Sequence, residues 1–149
     1  MDKILVQNKK IRLNYEILKD YSAGMELFGF EVKSLRGKRG SLEGARVSVR
    51  GGEAYLLGAN IPPYQSGNTP KGYEPERTRR LLLQKSEIAE LAEEESRKGL
   101  TIVPISVYNN RKLKLRLAVV RGKKKYDRRE DIKKRDTRRD MERGLRLKM

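Results

Sequence analysis

The sequence predicts a mainly β fold: a small barrel with one internal helix and a basic C-terminal tail. Three observations carry that prediction. Short runs alternate apolar and polar residues between clusters of glycine and proline, at the spacing of a barrel. The pair Gly51-Gly52 sits between two such runs as a hairpin turn. From Lys123 onward the chain holds 13 Lys/Arg against 6 Asp/Glu, with Ile132, Met141, Leu145, Leu147 and Met149 as its main apolar groups. That segment cannot bury enough surface to order itself, so it lies outside the core.

Over 11–20 the apolar residues Ile11, Leu13, Tyr15 and Ile17 share one side of an alternating run, which predicts a strand. Gly24, Gly29, Gly37 and Gly40 punctuate the next twenty or so residues, and Glu31 to Arg36 suits a short helix. Arg46 to Arg50 and Glu53 to Gly58 form the two arms of the Gly51-Gly52 hairpin. A polar loop then runs from about Ile61 to Glu76, marked by Pro62, Pro63, Pro70 and Pro75. Ser86 suits the N-cap of a helix through Ile88, Leu91 and Ala92 that ends near Gly99.

Leu100 to Tyr108 reads as a strand, with Leu100, Ile102, Pro104 and Ser106 opposite Val103, Ile105 and Val107. Asn109-Asn110 supplies a turn into the strand Leu113 to Arg121, where Leu113, Leu115, Leu117 and Val119 face inward. The total is about six short strands and one internal helix. Residues 1–122 form the barrel domain, and 123–149 the tail.

Charge narrows the function. The 149 residues carry +16, of which the tail holds +7 and the barrel +9, so both parts attract polyanions. The tail has no Pro, and Gly144 is its sole Gly, so it can turn helical on a partner that supplies the missing contacts. An anionic membrane surface is the rival polyanion. No amphipathic helix here carries the aromatic and leucine face that such a surface requires, and the apolar runs are too short for a span. Met1 to Val6 lacks the apolar region of a signal peptide, so a cytoplasmic location and no membrane partner are expected.

The chain has no Cys and no His. Serine–histidine and cysteine–histidine catalysis are thereby excluded, as are thiolate metal sites. Glu93-Glu94-Glu95 fan around a helix instead of converging, and phosphate-binding glycine loops are absent. Neither cofactor nor metal is expected, and an enzyme is the weaker rival reading.

Three segments could touch nucleic acid, and each has a plainer account. Lys114 and Arg116 alternate with Leu115 and Leu117, which sets a positive row on a rigid strand; any solvent-facing strand also needs polar residues. Arg77-Thr78-Arg79-Arg80 adjoins Leu81-Leu82-Leu83, either as phosphate contacts beside an apolar platform or as a solvated loop end. Gly37-Lys38-Arg39-Gly40 resembles the glycine-flanked clamp of KH domains, but only one side supports a helix, so a basic surface turn fits better. Among the aromatics, most fall at strand positions that core packing explains, and Tyr126 stands apart as a stacking candidate.

Several ordered segments together resemble one family. They are Asn8-Lys9-Lys10, Gly29-Phe30-Glu31-Val32-Lys33-Ser34-Leu35-Arg36, Gly58-Ala59-Asn60-Ile61-Pro62-Pro63-Tyr64, Arg77 to Leu83, Gly99 to Tyr108, and Gly122-Lys123-Lys124-Lys125-Tyr126-Asp127-Arg128-Arg129. From Asn8 to the C-terminus the chain is similar to the SsrA-binding proteins (small protein B) of bacterial trans-translation. The resemblance implies an oligonucleotide-binding-type (OB-like) β-barrel with flanking helices. It also implies binding to the tRNA-like part of transfer-messenger RNA and delivery of that RNA to stalled ribosomes for tagging of the nascent peptide. The tail would enter the empty mRNA channel and decoding centre of the 30S subunit, and elongation factor Tu would join the delivery complex.

On that resemblance Asn8, Leu82 and Lys114 fall at the RNA interface. Leu82 and Asn8 would supply packing and hydrogen bonding, while Lys33, Lys114 and Arg116 would neutralise phosphates. Lys9, Arg12 and Arg79 are expected beside them. Lys123, Lys124, Tyr126, Asp127, Arg128 and Arg129 match the tail motif, with Lys133, Lys134, Arg138 and Arg139 further along. Leu13 stands where the family usually has His, Ser22 where an acidic residue is usual, and the tail Trp of some members is missing. A general ribosomal or cold-shock-like RNA binder is the other rival, recognisable by having no preference for a tRNA-like elbow.

Overall fold

A computed structural model describes residues 3–64 and 69–123, the Arg12 side chain excepted. Among the described residues seven strands and three helices succeed one another in the order β1 (Lys3–Gln7), α1 (Ile11–Asn14), β2 (Tyr15–Met25), α2 (Gly29–Arg36), β3 (Arg46–Arg50), β4 (Glu53–Leu57), β5 (Arg79–Leu82), α3 (Lys85–Glu95), β6 (Leu100–Asn110) and β7 (Lys112–Gly122). The fold is mainly β, as expected.

All strand pairs are antiparallel. The sheet runs β1-β6-β3-β4-β5-β2-β7, and β6 also pairs with β7, which closes a ring. At eleven residues, β6 is long enough to hold β7 along one edge and both β3 and β1 along the other. The ring is OB-like, and β1 is appended to it along the edge of β6.

The interior holds Ala23, Val47, Ala54, Leu56, Leu81, Ile102, Leu115, Leu117 and Val119, with Leu35 of α2 and Leu91 of α3 packed against them. A second cluster lies on the outer face of β6 and β7, where Val103, Ile105, Ala118 and Val120 are covered by Ile11. Burying β6 on both faces explains why Ile102 to Val107 is one continuous apolar run broken only by Ser106.

Local chemistry settles most boundaries. Gly51 and Gly52 have φ of +57° and +78°, the left-handed pair that a two-residue hairpin requires, and five β3–β4 residue pairs form in register behind it. Helix α3 starts at Lys85 behind Gln84, whose N–H is taken by Glu87 Oε1 at 3.2 Å; Ser86 is therefore not the cap. The helix ends at Glu95, four residues before Gly99. The β6–β7 turn is made by Arg111, at φ +62°, and not by Asn109-Asn110, which remain in the strand. After α2, Gly37-Lys38-Arg39-Gly40 is a turn leading to extended chain, with no second helix of a KH clamp.

Two expectations about faces are corrected. The strand expected over 11–20 begins at Tyr15, because Ile11 to Asn14 make one helical turn closed by Asn14 N–H to the Lys10 carbonyl at 3.2 Å. Ile11 and Tyr15 do share a cluster, since residues four apart coincide in a helical and an alternating pattern alike. In β6 a bulge between Pro104 and Ser106 reverses the alternation, so Val103 and Ile105 face outward while Val107 enters the barrel.

Candidate nucleic-acid interface

One row of residues crosses the outside of the barrel. Leu82 (β5) pairs with Gly24 (β2), Gly24 with Lys114 (β7), Lys114 with Tyr108 (β6), and Tyr108 with Ile4 (β1). Their strand neighbours Leu81, Ala23, Leu115 and Val107 are in the core, so alternation turns this row outward. Leu82 is 47% exposed and Ile4 52% exposed, which is unusual for large apolar side chains on a strand.

Between this row and α2 runs a groove of about 300 Å³. Leu82, Leu113 and Val32 supply its apolar surface, and Arg36, Arg111, Lys112 and Lys114 supply charge. The ion pairs among the described residues engage Lys10, Lys19, Arg77, Arg79, Arg80, Arg97, Arg116 and Arg121. The four groove cations are not in that set. Their charge is left for an external anion, and the apolar strip beside it can pack on sugar or base.

The wall formed by α2 is fixed by a buried hub. Glu31 is fully buried and accepts from Arg79 Nε at 2.9 Å, from Arg77 Nη2 at 2.5 Å and from the Phe28 N–H at 2.7 Å. The Tyr73 hydroxyl lies 2.9 Å from Glu31 Oε2. Burial pushes the Glu31 carboxyl up, but the hydrogen bonds from Arg77, Phe28 and Arg79 outweigh it and hold the group below its usual range. The hub ties the loop before β5 to α2.

Arg79 was expected at the RNA surface, and this is corrected. It is 0% exposed. Besides Glu31, its donors engage the carbonyls of Ala59 at 2.8 Å, Pro75 at 2.9 Å and Arg77 at 3.0 Å. Its guanidinium N–H groups are all engaged inside the fold, so Arg79 positions α2.

Asn8 is also buried, and the hydrogen-bonding role expected for it is turned inward. Its Nδ2 donates to the Leu42 carbonyl at 3.2 Å and the Pro104 carbonyl at 3.1 Å, clamping the end of β1. With the exposed Lys9 it lines a separate small cleft, and the structure does not bring that pair into the groove.

Lys33 is exposed on α2, three residues before Arg36. Arg116 is exposed beside the row but paired to Asp20, with Nε 3.0 Å from Oδ2. Ser22 meets the Tyr108 hydroxyl, and Leu13 is half-buried on α1. The backbone of Lys123 is held by the Asn14 carbonyl at 2.9 Å. The Arg12 side chain and the tail positions Lys124, Tyr126, Asp127, Arg128, Arg129, Lys133, Lys134, Arg138 and Arg139 lie outside the described residues.

Sequence reasoning missed Arg36, Arg111, Lys112 and Tyr108. Arg111 and Lys112 come directly after Asn109-Asn110, and a basic pair at a hairpin tip was the available signal. Among the described residues no group of three or more His, Cys, Asp or Glu could hold a metal, and no helix is long and apolar enough to cross a membrane.

A closed antiparallel barrel whose exposed leucine is ringed by cations unpaired among the described residues defines a nucleic-acid-binding protein of the OB-like class. The model of one protein family, described as SmpB protein, matches residues 5–147. An SsrA-binding protein of Gloeobacter violaceus is 48% identical over 145 residues, covering 97% of this chain and 95% of that one. Another, from Thermosipho melanesiensis, is 49% identical over 136 residues, with 90% and 92% covered. A solved structure described as "tmRNA-SmpB: a journey to the center of the bacterial ribosome" holds a chain 40% identical, with a TM-score of 0.67 over 80% of this chain and 84% of that one. The chain belongs to the SmpB family.

Proposed function

We propose that the protein binds transfer-messenger RNA with the Leu82–Gly24–Lys114 face and takes it to stalled ribosomes in trans-translation. Family membership names the RNA, and one observation supports the face: four cations that have no carboxylate partner among the described residues surround an exposed leucine on a rigid barrel. Rigid strands hold phosphate contacts in register, and the apolar strip gives shape selectivity that charge alone lacks. Lys33, Lys114 and Arg36 neutralise phosphates near Leu82, and Lys9 and Arg12 act at a second, peripheral contact. Arg116 joins once an RNA phosphate displaces Asp20.

Residues 1–122 form the RNA-binding unit and 123–149 the ribosomal unit in this reading. With its net +7, the tail folds on ribosomal RNA in the mRNA channel and decoding centre of the 30S subunit. Lys123, Lys124, Tyr126, Asp127, Arg128 and Arg129 open that contact, and elongation factor Tu takes part in delivery. The protein works in the cytoplasm by binding alone, without catalysis.

The test is competition binding at about 0.2 M salt, where unspecific phosphate attraction is weak. Transfer-messenger RNA is set against bulk tRNA and an unstructured RNA of equal length. A preference of roughly a thousandfold, the low end for specific recognition, is expected. Equal binding to all three overturns the dedicated partner and leaves a general RNA binder. Removing 123–149 should spare RNA binding and abolish peptide tagging on stalled ribosomes; loss of RNA affinity would overturn the division of labour.

A further inference from the structure

We propose that Phe28, braced by Arg77, is a stacking platform for an unpaired nucleotide at the end of the groove. This rests on the RNA-binding reading of that groove and adds a contact that charge and the Leu82 row do not supply.

Phe28 occupies the N-cap of α2, a position that favours Ser, Thr, Asp or Asn because their side chains accept a backbone N–H. A phenylalanine ring cannot do so. The cap is instead made by the buried Glu31, which takes the Phe28 N–H at 2.7 Å. Helix formation therefore gives no reason for an aromatic residue here, and neither does the core, since the ring is 50% exposed.

The ring is nevertheless held in place. The Arg77 guanidinium carbon lies 4.1 Å from its centroid. Phe30 is 5.5 Å away, and Phe30 in turn meets Tyr73 edge-on at 4.7 Å. Arg77 is itself fixed by Glu31, at 2.5 Å and 3.1 Å, so the plate behind the ring belongs to the hub that sets α2. A braced, half-exposed ring loses little freedom on binding, which favours stacking over a loose surface aromatic.

Position then points to the ligand. Phe28, Val32 and Arg36 are spaced four apart and run along one side of α2. Val32, Arg36 and the adjoining Leu27 line the groove, so the ring stands at the end of its wall. The exposed side chains on α2 and in the turn before it, Glu26, Lys33 and Arg36, are charged, which suits a polyanion better than an apolar protein partner. One aromatic at the end of a cationic groove suits a strand whose charged backbone tracks the groove and whose base turns onto the ring. Because Glu31 takes up the Arg77 charge, this contact is a stack and not a phosphate bond.

The chain contains no Trp, so Phe28→Trp introduces a unique fluorophore at this point. Wild type, Phe28→Ala and Phe28→Trp are titrated with the tRNA-like domain of transfer-messenger RNA over a range of salt. Phe28→Ala should weaken binding about tenfold with an unchanged salt slope, since no phosphate contact is lost. Phe28→Trp should keep wild-type affinity, with its emission quenched as RNA saturates. Wild-type affinity in Phe28→Ala, or an indole that does not respond while RNA binds, overturns the platform. Wild type is titrated in parallel with an unstructured RNA of equal length; a wild-type protein that does not prefer the tRNA-like domain overturns the RNA reading itself, independently of the variants.

Discussion

Leu82 lies across the backbone of Gly24: a Cβ placed on that glycine would stand 3.3 Å from Leu82 Cβ and 3.4 Å from its Cδ1. The two are register partners on neighbouring strands. Gly24 has no left-handed φ to require a glycine, so what it supplies is room. The exposed leucine can lie over the strand toward the groove only because that position has no side chain.

Gly24→Ala therefore acts on binding more than on folding. The backbone accepts alanine; the exposed Leu82 relieves the contact at Cδ1 by rotating out of its present position, and the contact at Cβ by a shift of a few tenths of an ångström between the strands. A displaced rotamer corresponds to about 0.5–1.5 kcal/mol, so RNA affinity should fall by up to about tenfold. Thermal stability should change by less than about 1 kcal/mol, as for most surface changes. Isothermal titration and a melting curve on the same sample separate the two; an unchanged affinity would mean that Leu82 is not in the interface.

Arg79 gives the opposite separation. Removing it leaves the fully buried Glu31 with only Arg77 as a charged partner, and breaking a buried pair from one side costs about 3–5 kcal/mol. Arg79→Ala should unfold at a clearly lower denaturant midpoint. The fraction still folded should bind RNA within a few-fold of wild type, because Arg79 has no exposed donor. A large affinity loss in fully folded protein would restore Arg79 to the interface.

Acid should dissolve the same hub. The Glu31 carboxyl is held below its ordinary value of 4.5, so its contribution to stability is complete above that pH. The contribution is lost as pH falls below 4.5 toward the folded value, where protonation is driven by unfolding. In Glu31→Gln the melting temperature should be lower at pH 7 and should fall less between pH 6 and pH 3 than in wild type. Parallel pH profiles would show that other carboxylates set the acid limit.

The barrel was readable because its signals are local. A Gly-Gly turn forces a hairpin, and Leu113, Leu115, Leu117 and Val119 alternate without interruption. The parts that were not readable depend on partners distant in sequence. The β6 bulge changes which face Val107 occupies, and nothing around Ser106 announces it. Arg77, Arg79 and Arg80 look alike in sequence, yet Glu31, some fifty residues away, takes two of them into a hub while Arg80 pairs with Glu26 and Glu53 at the surface. A basic cluster records charge; which charges remain unpaired is decided by the fold.

That distinction yields the last prediction. Among the described residues Lys114, Lys112 and Arg111 have no carboxylate partner, whereas Arg116, two residues along β7 from Lys114, is paired with Asp20. Each groove cation that contacts a phosphate should, when changed to alanine, lower the slope of log affinity against log salt by about 0.7–0.9. Arg116→Ala should have a smaller effect, because RNA must first compete with Asp20 for that guanidinium. Asp20→Ala removes the competitor and should tighten binding at low salt, an outcome no loss of structure would produce. An exposed pair is worth at most about 1 kcal/mol, so the gain should stay within about fivefold. Salt titrations of these variants against one RNA decide between them: if Asp20→Ala weakens binding, Arg116 serves the fold, and the phosphate path is confined to the cations between β7 and α2.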